Sequence, residues 1–147
     1  MNFKLNEGIE VLDRTPKTLE YFLSGLSKAW LECDEGEGTW NAIGVVEHLI
    51  EGEKHNWIPR LKMIFEEGGS TVFPVFDRFS HLEEAAPKSL EEKIMEFASL
   101  RATNVNELKE LAARYSLDAT GMHPAFGKVS ARLRMCQQWS IQRPDML

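Results

Sequence analysis

Leu90, Ile94, Phe97, Arg101, Val105, Leu108, Leu111 and Tyr115 recur at three- and four-residue spacing. No other pattern in the chain constrains its fold as strongly. Such a repeat lays one stripe along a long helix, and that stripe must be buried against other elements. The start of the helix is written as well, because Ser89 followed three residues later by Glu92 is a capping box. Arg101 alone interrupts the apolar stripe. A guanidinium at a core position requires a buried carboxylate, and Glu53 or Asp77 would supply one.

The remaining segments offer partners of the same kind. A short helix is expected over Leu5 to Asp13. Thr15-Pro16 then reads as a capping hydroxyl and a first-turn proline. Leu19, Phe22, Leu23, Leu26 and Trp30 predict a helix from Pro16 to Leu31, ended by the acidic, glycine-rich Glu32–Gly38. Asn41 caps a further helix that reaches Glu67 and stops at Gly68-Gly69, with Ile43, Val46, Ile50, Trp57, Leu61 and Ile64 as its stripe. Pro59 removes a backbone hydrogen bond within that pattern, which predicts a kink or break near Asn56. Ser70 to Lys88 is a long connection whose Phe73-Pro74-Val75-Phe76-Asp77 should pack across the helices. After a turn at His123, Ser130 caps a last helix through Leu133, Met135, Cys136 and Trp139, and Pro144 ends it. No segment reads as a strand. Residues 1–147 are therefore expected to form one domain, an all-α up-and-down four-helix bundle with long connections.

Charge narrows the partners. A formal net charge of −6 with no local run of Lys and Arg argues against nucleic acid and against an anionic membrane surface. The first ten residues lack the apolar core of a signal peptide, and no run approaches the roughly 18 apolar residues of a membrane helix, so a cytoplasmic protein is expected. Cys33 and Cys136 are far apart and outside any CxxC spacing, which predicts two free thiols.

Two segments carry a resemblance: Trp40-Asn41-Ala42-Ile43-Gly44-Val45-Val46-Glu47-His48-Leu49-Ile50 with Glu53 and Trp57, and His123-Pro124-Ala125-Phe126-Gly127-Lys128-Val129. With Phe73-Pro74-Val75-Phe76-Asp77-Arg78, Phe97 and Arg101 between them, the chain resembles the DinB-like (DinB/YfiT-like) family of metal-binding four-helix bundles. The resemblance implies one divalent metal, zinc or nickel, held by a histidine of the second helix and a His-x-x-x-His pair of the last. Three neutral imidazoles from two helices would leave positions open for water or substrate. It also implies a metal-dependent hydrolase, or an S-transferase acting on a low-molecular-weight thiol and an electrophile. His48 matches the second-helix ligand, but Gln142 and Met146 stand where the histidine pair should be. Pro144 also breaks the tail where the family's helix runs on. The tail is then either a frame-shifted or truncated His-Asp-Leu ending or a diverged one. An alternative function follows, a non-catalytic bundle that has lost its metal and serves as a binding or structural module. A homodimer through an exposed apolar face is expected in either case.

Other residues invite weaker readings. His55 lies two turns beyond His48, about 10 Å along the axis, too far to share one metal. It reads as a surface group, as does His81 beside Glu83 and Glu84. His123 should cap or hydrogen-bond the helix that follows it. Glu47 and Glu51 describe a solvated acidic flank with Lys54 near enough to pair, while Glu53 could approach a metal or orient a ligand. Trp40, Trp57, Phe97 and Trp139 read as core aromatics. No phosphate-binding loop and no GxSxG elbow is present.

Overall fold

The computed structural model describes residues 4–36, 38–75 and 88–133. Its elements in chain order are α1 (Leu5–Leu23), α2 (Lys28–Glu32), α3 (Ala42–His55), α4 (Trp57–Lys62) followed by a π-helical turn (Met63–Glu67), α5 (Leu90–Arg114), β1 (Thr120–His123) and β2 (Gly127–Ser130). The architecture is that of the expected all-α bundle, with α5 packed against both α1 and α3. Residues 131–133 are helical, and Ser130 Oγ accepts from the Leu133 N–H at 3.1 Å. The rest of the last helix expected from sequence, with Met135, Cys136 and Trp139, and the tail with Gln142, Pro144 and Met146 lie outside the described residues, as do Phe76, Asp77 and His81. Among the described residues no helix is long and apolar enough to cross a membrane.

Local chemistry explains most element ends. Ser89 Oγ accepts from the Glu92 N–H at 3.2 Å, and Glu92 Oε2 accepts from the Ser89 N–H at 2.7 Å, so the capping box is complete. Asn41 Oδ1 accepts from the Gly44 N–H at 2.9 Å and opens α3. The break falls at Asn56, whose φ of −112° and ψ of −58° separate α3 from α4. Pro59 then sits in the first turn of α4, where its missing N–H costs little.

The first helix departs from expectation. It runs unbroken from Leu5 to Leu23 through the buried Pro16, so Thr15 caps nothing, and its hydroxyl instead donates back to the Val11 carbonyl at 2.8 Å. Proline at position 16 leaves the Leu12 carbonyl without its helical donor. Arg101 of α5 donates to that carbonyl through Nη1 at 3.4 Å, which lets the helix pass the proline. At the other end the helix stops at Leu23, well short of Leu31. Gly25, at φ +77°, turns the chain into the short α2, leaving Phe22 69% and Trp30 68% exposed rather than in a shared seam.

The segment around His123 also differs from expectation, being an antiparallel hairpin. Thr120 pairs with Ser130, Gly121 with Val129, Met122 with Lys128 and His123 with Gly127. Gly127 at φ +69° closes the three-residue loop, a position where a Cβ would be strained. Thr71–Phe73 joins as a third, parallel rung: Phe73 N–H donates to the Met122 carbonyl at 3.0 Å and Met122 N–H to the Thr71 carbonyl at 3.2 Å. Within the described part of the long connection Phe73 packs inward, only 2% exposed, whereas Val75 stays 84% exposed and Phe76 and Asp77 lie outside the described residues.

Gly121 is the tight point of this contact. A Cβ there would lie 2.9 Å from Ile64 Cγ1 and 2.9 Å from Phe73 Cζ. Gly121→Ala should therefore cost about 1–3 kcal/mol of unfolding free energy by urea denaturation. An unchanged midpoint would mean the hairpin is not clamped to the core.

Candidate functional site

His48 lies on the buried side of α3, 8% exposed, with its Nδ1 sealed from solvent. A wheel with one stripe puts it outside the Ile43–Val46–Ile50 seam. The helix in fact buries two flanks, because Gly44, Val46, His48, Leu49, Ile50, Gly52 and Glu53 are all buried. The imidazole lies against the Trp40 indole with ring centroids 4.5 Å apart and planes inclined by 37°. Gly44 makes that placement possible, since a Cβ there would come within 3.3 Å of Trp40 Cβ. One turn further, Trp57 is only half-buried and covers Gly52, where a Cβ would meet the indole Nε1 at 3.0 Å.

Glu53 is committed elsewhere. Its side chain is fully buried; Oε1 accepts from Arg101 Nε at 3.0 Å and Nη2 at 2.7 Å, and Oε2 accepts from Asn104 Nδ2 at 2.8 Å. Asn104 Nδ2 also donates to the Glu53 carbonyl at 2.8 Å. Of the two carboxylates anticipated for Arg101 the structure pairs it with Glu53, whose oxygens are taken up by side chains of α5. Arg101 also lies over the Phe97 ring at 4.9 Å. Asn104 was not legible as a partner, although it sits three residues beyond Arg101 and so on the same face of α5.

Glu47 and Glu51 correct the reading of a solvated flank, with side chains only 24% and 12% exposed. Glu47 pairs with Lys93 of α5. Glu51 meets Lys54 at 3.5 Å and the exposed His55 at 3.6 Å, and Lys54 crosses to Glu96 at 3.0 Å. Lys88 closes the array on Glu96 at 2.7 Å. The groove between α3 and α5 is lined by these charges and by Ile50. Hydrogen bonds from Lys88 and then Lys54 hold the Glu96 carboxyl below its ordinary value of 4.5.

His123 organises its own turn instead of capping a helix. Its Nδ1 accepts from the Ala125 N–H at 3.1 Å and the Phe126 N–H at 3.3 Å, and its ring lies 4.7 Å from that of Phe126. Cys33 is a free, exposed thiol whose S–H donates to the Trp30 carbonyl. Among the described residues no three His, Cys, Asp or Glu side chains converge as a metal shell would require. No three of His48, His55, His123, Glu47, Glu51 and Glu53 come together there.

Comparison with known proteins places this geometry. A family model for the DinB superfamily matches residues 11–141. No curated protein sequence matches. Among solved structures, YfiT from Bacillus subtilis, described as a probable metal-dependent hydrolase with an unusual four-helix bundle topology, superposes with a TM-score of 0.74. It is 18% identical, over 92% of this chain and 78% of that one. TT2238, described as a four-helix bundle protein, gives a TM-score of 0.53 at 23% identity over 93% of both chains.

Two measurements follow from the charged contacts. Glu53→Gln should lower unfolding free energy by about 3–5 kcal/mol, because it strands the buried guanidinium. Pairing it with Arg101→Met should recover a large part of that loss, whereas simple additivity would show the two groups to be uncoupled. Glu96 has a folded-state value depressed below the unfolded one. Its contribution is therefore present above about pH 4.5 and is lost as pH falls through the folded value. In Glu96→Gln the acid limb of the stability–pH curve should flatten; an identical limb would rule the network out as its source.

Proposed function

This chain belongs to the DinB superfamily, and on that footing we propose that it is a divalent-metal-binding member in which His48 supplies the imidazole donor from α3. The observation that carries the reading is the inward, solvent-sealed placement of His48 at the second-helix position. The reaction class is metal-dependent hydrolysis, or S-transfer between a small-molecule thiol and an electrophile. YfiT, with its description as a probable metal-dependent hydrolase, supports the first of these. Zinc or nickel suits an imidazole donor, and bound metal would supply a water or thiol of lowered pKa. The setting proposed is cytoplasmic, with a homodimer formed through an exposed apolar face.

The described side chains do not by themselves fit such a centre. One imidazole is a single donor, and a catalytic zinc site uses three protein ligands. A second reading is favoured by the fate of Glu53, the acid best placed by sequence to assist His48, whose oxygens are taken up by Arg101 and Asn104. In that reading the bundle is a binding or structural module without a metal.

Elemental analysis separates the two. Protein stripped with chelator, reloaded with zinc or nickel and desalted should retain close to one equivalent. His48→Ala, with an unchanged helical circular dichroism signal, should fall to background. Wild-type protein that keeps no metal under these conditions would decide for the second reading.

A further inference from the structure

We draw no further inference here: the strongest candidate, the apolar surface that Tyr21 and Phe22 of α1 and Trp30 of α2 expose where the chain turns between those helices, carries nothing because nothing in the structure shows what covers it.

Discussion

Arg101 stands where three helices meet, with its guanidinium shared between the Glu53 carboxylate of α3 and the Leu12 carbonyl of α1. A charge at this depth is tolerable only when it is paired and its hydrogen bonds are met. Here the two partners come from different helices, so satisfying one side chain fixes the relative placement of all three. Asn104 completes the arrangement by holding the second carboxylate oxygen and the backbone of α3 together. The Leu12 contact has a further effect, because that carbonyl is the one Pro16 deprives of a donor. The continuity of α1 therefore depends on α5.

The same residue divides the interior. On one side Phe97, Ile94 and Leu90 pack with Val46, Leu49, Ile50 and Leu23; on the other, Val105, Leu108 and Leu111 pack with Leu12, Leu61, Ile64 and Phe73. His48 lies on α3 and Trp40 just ahead of that helix, whereas Val129 of the hairpin and Phe73 seal the second side. Apolar burial supplies the bulk of the stabilisation in both halves, but it is not directional. The polar crossing between them sets register. That is why α3 holds His48 inward, with Glu53 one and a half turns on locked in place.

Much of this was legible, and for a common reason. The capping box at Ser89, the Asn41 cap, the interruption at Asn56 and the Ser130 cap depend on residues within four positions of each other. That Arg101 needs a buried carboxylate was legible too, because a lone charge in an apolar stripe admits few explanations; the choice of Glu53 over Asp77 came from the structure. The family resemblance, read from the Trp40–Glu53 and His123–Val129 segments, holds over residues 11–141. Less legible were Glu47 and Glu51, whose sequence looks like a wet flank until Lys93 and Glu96 are brought opposite. The burial of His48 does not follow from a one-stripe wheel and needs the second buried flank of α3.

From the sequence alone came the helical class, the positions of the main caps and breaks, the family and the family-type position of His48 on α3. Each of these rests on short-range periodicity, on capping chemistry or on a motif that can be read without knowing neighbours in space. Tertiary structure alone decided that α1 passes through Pro16, that the chain after α5 becomes a hairpin and that the Glu53 carboxylate is bonded by Arg101 and Asn104. Those outcomes hinge on groups dozens of residues apart meeting in a low-dielectric interior, where an unsatisfied carbonyl or charge costs more than any local propensity can offset.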